Sequence, residues 1–325
     1  MHPDGPGSPG GTRGASKFPR VSLVVSSAPE LEIDEHLVRS LLAEQHPDLA
    51  GSSLLELDAG WDNTLWRIGD DLLARLPRRA VAADLTVNEQ RWLPILGPLL
   101  PLPVPVPIRV GKPSQRYPWS WSIVPWLNGT PGDRTPTIAA DAVAQQLGRF
   151  LRALHGPAPA NAPRNPFRGG PLVDRLGAFE ERLNELDADV DASSVRAVWE
   201  RACDAPPWTG APTWLHGDLH PANMLFVDGI VSAVIDFGDI CAGDPATDLA
   251  SAWMLLPAWA MPDFTESYGE IDTDLEARAL GWSILFGLML LAIGLDDRPT
   301  YEPIGRRALN HAVSHGDRTP TPPQG

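Results

Sequence analysis

Two polar motifs around a pair of short apolar runs restrict the fold of this chain more than any other feature of its sequence. The first motif, HGDLHPANMLF at residues 216–226, places an Asp two residues after a His and an Asn five residues after that Asp. The second, VIDFGD at residues 234–239, places another Asp inside an apolar run. Asp-Gly at 228–229 separates the two apolar runs, which is a strong hairpin signal. The sequence therefore predicts one loop-and-hairpin unit on which three polar side chains converge.

The three polar residues of this unit are Asp218, Asn223 and Asp236. Any one of them alone is compatible with simple turn chemistry, in which Asp accepts backbone hydrogen bonds. Their combined spacing, His-x-Asp-x-x-x-x-Asn followed by Asp-Phe-Gly, is that of the catalytic loop and metal-binding element of phosphoryl-transferring kinases. Such transfer needs Mg²⁺ on hard oxygen ligands, for which Asp236 and the side-chain oxygen of Asn223 are the candidates. It also needs a carboxylate beside the acceptor hydroxyl, and Asp218 fits that role.

The remaining polar residues of the motifs are given supporting roles. We predict that His216 braces the loop, while for His220 the position is left open, with exposure to solvent as one alternative. Asp244 and Asp248, in the string GDPATDLA, are interpreted as structural, with Asp248 capping the helix that it precedes. Asp239 is a candidate either for direct contact with a substrate or for supporting the side chains that contact it.

The string WLHGDLHPANMLF, followed by VIDFGDICAGDPATDLA, closely resembles the aminoglycoside phosphotransferase family, small-molecule kinases with the protein-kinase-like fold. The resemblance covers roughly residues 54–295. LDAGWDNTLWRIGDDLLARLPRR resembles the nucleotide-covering hairpin of that family, NEQRWLPIL its paired helix, SIVPWLNGTPG its hinge and LGRFLRALHG the first long helix of its large lobe. The resemblance implies ATP or GTP as phosphate donor, Mg²⁺ as cofactor, an aminoglycoside or another small hydroxylated molecule as acceptor, and a link to antibiotic resistance.

The same resemblance implies which residues contact the nucleotide: Asn63, Arg75, Glu89, Pro125 and Leu127. The strand lysine expected in kinases is absent, and Arg75 stands at the matching position. Since the chain has lysine only at positions 17 and 112, we interpret Arg75 as a substitute that keeps the charge on a planar fork. Its expected helix partner is Glu89, with an ordinary solvated helix acid as the alternative.

A Gly-rich loop of the protein-kinase type is missing from the sequence, and AGWDNTLW stands in its place. We therefore expect residues 60–63 to approach the phosphates by another route, with plain turn residues as the alternative for 61 and 62. Arg78 and Arg79 are predicted to be surface charges.

The composition excludes several classes of protein. Acidic residues outnumber basic ones by 41 to 26, for a net charge of −15, which disfavours nucleic-acid binding and weakly favours a cationic ligand. Only two cysteines are present, Cys203 and Cys241, so neither a disulfide framework nor a zinc site is expected. Residues 279–295 carry no charge but fall short of the ~20 apolar residues that span a bilayer. We expect them to form a buried helix in a cytoplasmic protein without a secretory signal or membrane partner.

The expected architecture is α+β, with a protein-kinase-like arrangement of two lobes. Residues 29–126 are predicted to form a small, β-rich nucleotide-binding lobe, and residues 127–316 a larger, mainly helical lobe for catalysis and substrate binding. Residues 1–28 and 317–325 have the composition of disordered tails. We expect a monomer or a homodimer.

Two functions compete with the kinase hypothesis. The first is a nucleotide-binding pseudokinase or regulatory module without turnover, which only the substitution at Arg75 favours, since Asp218, Asn223 and Asp236 are all present. The second is a metal-dependent hydrolase, which lacks a second acidic pair with dinuclear spacing.

Overall fold

The computed structural model describes residues 29–57 and 62–316. The two predicted disordered tails, residues 1–28 and 317–325, lie outside these ranges. So does most of the predicted phosphate-approaching segment at 60–63, of which only residues 62 and 63 are described.

The N-terminal part of the described chain is built around one antiparallel sheet. Its elements are α1 (Glu35–Gln45), β1 (Leu54–Glu56), β2 (Asn63–Ile68), β3 (Leu72–Pro77), α2 (Ala80–Leu96), β4 (Arg109–Gly111) and β5 (Trp121–Pro125). The strand order is β1-β2-β3-β5-β4, and every neighbouring pair is antiparallel. We call this unit, α1, α2 and β1 to β5, the small lobe.

Local sequence accounts for the elements of the small lobe. The side chain of Asp34 caps α1 by accepting a hydrogen bond of 2.8 Å from the backbone N–H of Leu37. Along β2, side chains alternate between buried and partly exposed, as expected for a strand with one face on a core. Helix α1 covers that buried face, and together they form an apolar cluster that includes Val38, Leu41, Leu42, Trp66, Ile68 and Trp121.

The remaining elements form a larger, mainly helical unit, which we call the large lobe. They are β6 (Thr130–Pro131), α3 (Ala140–Leu154), α4 (Leu176–Glu185), α5 (Ala192–Asp204), β7 (Thr213–Leu215), β8 (Met224–Val227), β9 (Ile230–Val234), β10 (Cys241–Gly243), α6 (Ala246–Leu255), α7 (Met261–Tyr268), α8 (Thr273–Asp296) and α9 (Glu302–Gly316). Two small sheets, β6-β8-β9 and β10-β7, lie among these helices. The predicted α+β class, with strands first and helices after them, is confirmed.

Helix α8 contains the apolar stretch that the sequence raised as a membrane question. By length and composition it is the one helix in the described ranges that could cross a membrane, with a mean hydropathy of 1.9 over its most apolar window. However, 72% of that window is buried inside the protein. Because α8 packs against α5, α6 and α9, it is the central helix of the large-lobe core.

Some elements differ from the sequence-based expectations. The sequence predicts a helix over residues 80–96 and an extended, proline-rich passage over residues 94–107; α2 ends at Leu96, as predicted, but a 3-10 turn, Gly97–Leu99, follows it. Helices α7 and α9 and the short strands β4, β6, β7 and β10 were not predicted. These strands have only two or three residues each, which is too short for an alternating pattern to identify them.

Candidate active site

The predicted hairpin is present and brings the two motifs together. Strands β8 and β9 are joined at Asp228 and Gly229, which have the positive φ values, 51° and 76°, that tight two-residue hairpin turns require. Asn223 directly precedes β8, and Asp236 follows β9 by two residues. The backbone N–H of Ile235 donates a hydrogen bond of 2.9 Å to the carbonyl of Asn223. The Asn and the second Asp therefore lie side by side at the open end of the hairpin.

Asp236 has an unusual backbone conformation. Its φ of 63° lies in the left-handed region, which side chains other than Gly rarely occupy and which stores roughly 1–3 kcal/mol of strain. The side chain is 56% exposed, although it follows a buried strand. Its Oδ1 lies 3.3 Å from Nη2 of Arg75, which belongs to β3 of the small lobe. Asp236 is thus held at the junction of the two lobes with its carboxylate accessible.

The side chain of Asn223 is oriented by the loop that carries Asp218. Its Nδ2 donates a hydrogen bond of 2.9 Å to the backbone carbonyl of Asp218. This contact uses the nitrogen and leaves Oδ1 as an available acceptor. With Asp236, the site therefore offers two hard oxygen donors on adjacent backbone segments, a set that fits Mg²⁺.

His216 braces the loop, as the sequence predicted. Its ring is fully buried, with Nε2 donating to the carbonyl of Ile235 at 2.9 Å and Nδ1 accepting from the backbone N–H of Asp218 at 3.2 Å. Because a carbonyl only accepts and a backbone N–H only donates, these partners place the ring proton on Nε2. The imidazole ties the loop to the end of β9.

Asp248 also braces the loop, but not as the predicted helix cap. Helix α6 begins at Ala246, so Asp248 lies within its first turn. Its buried carboxylate accepts hydrogen bonds from the backbone N–H groups of His216, at 2.7 Å, and Gly217, at 2.9 Å. Asp244 is the acid at the start of the helix: it accepts from the N–H of Ala246 and pairs with Arg278 at 2.7 Å. Both acids are structural, as expected, but Asp244, and not Asp248, bonds a backbone N–H at the start of α6.

Asp218 lies between two basic side chains. Nη2 of Arg168 donates to its Oδ1 at 3.0 Å, while Nε2 of His220 lies 3.6 Å from its Oδ2. Burial acts to raise the pKa of Asp218, but the close approach of His220, and then the charge of Arg168, hold that pKa well below its usual range. The carboxylate keeps 24% exposure, so a ligand can reach it in its ionised form.

His220 does not face solvent, which was one of the alternatives for it. It is 5% exposed and packs edge-on against the ring of Tyr301, with ring centroids 5.6 Å apart. Its buried position follows from the short 3-10 turn Pro221–Asn223, which folds the loop back onto the large lobe.

Two further residues of the site were not found by sequence reasoning. Arg168 and Asn165 belong to the loop between α3 and α4, and Nδ2 of Asn165 donates to Oδ1 of Asp239 at 2.6 Å. Burial raises the pKa of Asp239, and the neighbouring charge of Asp218 adds to that effect. Asn-Pro at 165–166 and Gly-Gly at 169–170 indicate turns. Nothing in those signals indicates a contact with residues 50 or more positions later.

In the small lobe, Arg75 and Glu89 form the expected pair. Nη1 of Arg75 lies 2.8 Å from Oε1 of Glu89, with side-chain exposures of 9% and 4%. Burial acts to lower the pKa of Arg75, but the charges of Glu89 and Asp236 outweigh it and raise that pKa. The guanidinium therefore stays charged at the lobe junction, and the solvated alternative for Glu89 is wrong.

The prediction that Arg79 is a surface charge is also wrong. Its side chain is buried and lies 2.6 Å from Oδ1 of Asp62. Asp62 precedes β2 and Arg79 follows β3, so their ion pair closes the open end of this hairpin beside Asn63. Burial raises the pKa of Asp62, partly offset by the hydrogen bond and charge of Arg79.

The other predicted nucleotide-binding residues lie on strands next to β3, beside its two opposite ends. Asn63 pairs with Pro77, and its Oδ1 is buried without a hydrogen-bond partner among the described residues. Pro125 pairs with Leu72, five residues away along the same strand, which corresponds to about 17 Å. Leu127 follows Pro125 in a partly buried segment that is anchored by a hydrogen bond from the N–H of Trp126 to the carbonyl of Asp71.

A cavity in the large lobe lies apart from this site. It has a volume of about 810 Å³ and lies behind the α3–α4 loop, where its wall includes Gly169, Trp208, Asp244 and Arg278. Asp218, Asn223 and Asp236 do not line it. We place the candidate active site by its polar residues and their geometry, because an open junction between lobes need not form an enclosed cavity.

The chain is similar in sequence to several known proteins. A homoserine kinase of Gluconobacter oxydans (strain 621H) is 34% identical over 126 residues, which cover 36% of this chain and 37% of that protein. An aminoglycoside 3'-phosphotransferase of Escherichia coli is 28% identical over 125 residues, covering 36% of this chain and 45% of that protein. The chain thus matches less than half of the length of these curated relatives.

The fold has close counterparts among solved structures. The GDP complex of wild-type aminoglycoside 2'-phosphotransferase-IIIa superposes with a TM-score of 0.63 at 21% identity, covering 87% of this chain and 99% of that one. The two-lobed, kinase-like fold is therefore shown. The model of the Phosphotransferase enzyme family (APH) matches residues 53–282, which include the whole candidate site. This chain belongs to that family.

Proposed function

We propose that this protein is a kinase that transfers the γ-phosphoryl group of ATP or GTP to a hydroxyl group of a small molecule. The observation that carries the proposal is the arrangement on one loop-and-hairpin unit of an accessible, ionised Asp218 beside the oxygen donors of Asn223 and Asp236. Family membership and the GDP complex of a structural neighbour support a nucleotide as phosphate donor.

In this proposal, Asp218 orients the acceptor hydroxyl and takes its proton. A carboxylate with a lowered pKa is a weak base, but phosphoryl transfer passes through a loose transition state in which positioning matters more than early proton removal. Keeping the group ionised at every pH near neutrality serves that role. His216 and Asp248 hold the loop on which Asp218 lies.

Asn223, through Oδ1, and Asp236 would hold Mg²⁺, and their oxygen donors fit that ion. When bound, the metal ion neutralises charge on the phosphates of the donor. Asp236 is constrained for this task by its left-handed backbone and by the nearby guanidinium of Arg75. A carboxylate held in a strained and exposed position is costly unless it serves a ligand.

Arg75 would contact the donor phosphates, with Glu89 fixing its guanidinium. Asn63, at one end of β3, would lie on the phosphate side of the nucleotide, and Pro125 and Leu127, at the other end, on the base side. The ~17 Å between the two ends is compatible with an extended nucleoside triphosphate.

For the acceptor, we propose a small molecule that carries a hydroxyl group and a positive charge. The net charge of −15 supports this choice by favouring the approach of cations. The relatives include kinases of homoserine and of aminoglycosides, both of which carry amino groups beside hydroxyls. We further propose a cytoplasmic monomer or homodimer that binds neither nucleic acid nor membranes, in the compartment that supplies ATP and GTP.

The test is a screen with purified protein, Mg²⁺ and γ-labelled ATP or GTP against aminoglycosides, macrolides and amino alcohols, homoserine included. The expected result is acceptor-dependent transfer of label by the wild type and none by Asp236→Ala. Nucleotide binding without transfer to any acceptor would overturn the proposal and favour a pseudokinase, the function that the Arg75 substitution supports.

A further inference from the structure

We propose that Arg168 is a positioning residue for the transfer reaction: its guanidinium fixes the Asp218 carboxylate through Oδ1 and so assigns Oδ2 to the acceptor hydroxyl. The inference rests on the proposed kinase function and adds a residue from outside both sequence motifs. It follows from the anchoring of the α3–α4 loop, from the contacts of Arg168 and from the unequal surroundings of the two Asp218 oxygens.

The loop that carries Arg168 is anchored on both sides of that residue. The carbonyl of Pro163 accepts a hydrogen bond of 2.9 Å from the N–H of Ala242, and that of Gly169 accepts one of 2.9 Å from the N–H of Asp244. The N–H of Gly169 also donates to Oγ1 of Thr247 at 3.2 Å. Ala242 lies on β10, Asp244 just before α6, and Thr247 in the first turn of α6. The same helix carries Asp248, which holds the loop of Asp218. The loop is thus fixed relative to Asp218.

Close backbone packing explains why Gly169 in this loop and Gly243 on β10 are both glycines. A Cβ on Gly243 would lie 2.4 Å from the carbonyl oxygen of Gly169, and Gly169 has a φ of 72°. The loop therefore approaches β10 more closely than side chains allow. Such an approach places the backbone of Arg168 close enough for its side chain to reach Asp218.

The guanidinium itself is held on several sides. Its centre lies 4.9 Å above the ring of Phe286 on α8, Nη1 donates to the carbonyl of Phe167 at 3.4 Å, and Nη2 donates to Oδ1 of Asp218 at 3.0 Å. Its Nε is buried and has no hydrogen-bond partner among the described residues. Leaving a buried donor unsatisfied costs stability. The side chain is therefore placed for its contact with Asp218 at the expense of its own hydrogen bonding.

The two oxygens of Asp218 have different surroundings as a result. Oδ1 accepts the hydrogen bond of Arg168, whereas Nε2 of His220 lies 3.6 Å from Oδ2, which is beyond hydrogen-bond distance. A carboxylate free to rotate would present either oxygen to the acceptor. With Oδ1 held, Oδ2 is the oxygen left for an incoming hydroxyl, and its direction is set before the acceptor binds.

The test compares Arg168→Met, which keeps an unbranched apolar stem without the charge or the hydrogen bonds, with Arg168→Lys and Arg168→Ala. Arg175→Met is the matched control, because Arg175 packs on Phe167 of the same loop without touching Asp218. The measurements are kcat and KM with an acceptor from the screen, nucleotide Kd, and kcat of Arg168→Ala with added guanidinium ion.

We expect Arg168→Met to lower kcat by about 10- to 100-fold, the range for misplacing a reacting group by about 1 Å, with nucleotide Kd unchanged. Arg168→Lys should keep part of the rate, and guanidinium ion should restore part of it to Arg168→Ala. Wild-type kcat in Arg168→Met would overturn the inference and leave the kinase function standing. A loss that guanidinium does not restore and that comes with weakened nucleotide binding would show a structural role only. An inactive wild type would overturn both proposals.

Discussion

Arg75 and Glu89 form a buried ion pair of 2.8 Å that joins β3 to α2, and the other terminal nitrogen of the same guanidinium lies 3.3 Å from Asp236. One side chain therefore links the sheet, the helix and the end of the β8–β9 hairpin. Because a planar guanidinium can bind partners along two edges at once, it satisfies Glu89 while still facing the lobe junction. A lysine ammonium is a single point charge without this second edge.

The first prediction concerns this arginine. Arg75→Ala should weaken nucleotide binding by about 10- to 100-fold, the equivalent of about 1.5–3 kcal/mol for hydrogen bonds to a charged group, and should affect acceptor binding less. Arg75→Lys should keep part of the activity, because the charge remains. Nucleotide titration by calorimetry measures the effect, with Arg39→Ala, at a solvent-accessible position on α1, as the control. Wild-type nucleotide affinity in both Arg75 variants would contradict the assignment.

The second prediction concerns the metal ligand. Asp236→Ala should abolish turnover while the fold survives, since the side chain is largely exposed and its removal leaves no cavity in the core. Mg²⁺-dependent nucleotide binding should weaken in parallel. Activity assays and circular dichroism check both points. Asp228→Asn is the control, because Asp228 has a similar positive φ in the hairpin turn but faces solvent. Normal turnover in Asp236→Ala would disprove the metal assignment.

Much of the site could be predicted because its residues are local in sequence. Asp218, Asn223 and Asp236 lie within 19 positions on one loop and one hairpin, so their spacing alone indicates that they converge. The helix predicted over residues 80–96 also matches α2 at both ends. The pairing of Arg75 with Glu89 followed from resemblance, not from any local pattern.

The remaining contacts depend on tertiary structure. Arg168 reaches Asp218 across 50 positions, and its loop carries only turn signals. Arg79 was predicted to be a surface charge. Its partner Asp62, however, lies across the hairpin, and sequence spacing does not reveal such a pair. Helix α9 was not predicted, although it is amphipathic. The short strands have too few residues to show an alternating hydrophobic pattern.

The third prediction concerns the brace under the catalytic loop. Asp248→Asn replaces one carboxylate oxygen with a donor, so the N–H of either His216 or Gly217 loses its buried partner. We expect the free energy of unfolding to fall by about 1–3 kcal/mol, measured by urea denaturation. Asp274→Asn, in the exposed first turn of α8, should change it by less than about 0.5 kcal/mol. Equal stabilities of the two variants would contradict the bracing role.

The fourth prediction concerns pH and the start of α5. Hydrogen bonds from the Ser193 and Ser194 hydroxyls and backbone lower the pKa of Asp191 from 3.8 to about 2. A carboxyl whose pKa is lowered in the folded state stabilises the protein above its ordinary pKa, and this contribution is lost as the pH falls through the folded value. The difference in Tm between wild type and Asp191→Ala should be constant from pH 7 to pH 5 and shrink between about pH 4 and pH 2. A difference that does not shrink would show that the cap works without its charge.

The most direct test of the account is the rate of transfer by Asp218→Asn, measured at steady state with an acceptor from the screen and alongside nucleotide titration of the same variant. The substitution keeps the shape of the side chain but removes its charge and its ability to accept the proton. We predict a loss of roughly 100-fold or more in kcat, the usual range for a positioned general base, with a residual rate because positioning is retained. Fold and nucleotide affinity should stay near those of the wild type. An unchanged rate would remove the base assignment, and lost nucleotide binding would show that Asp218 is only a structural residue of its loop.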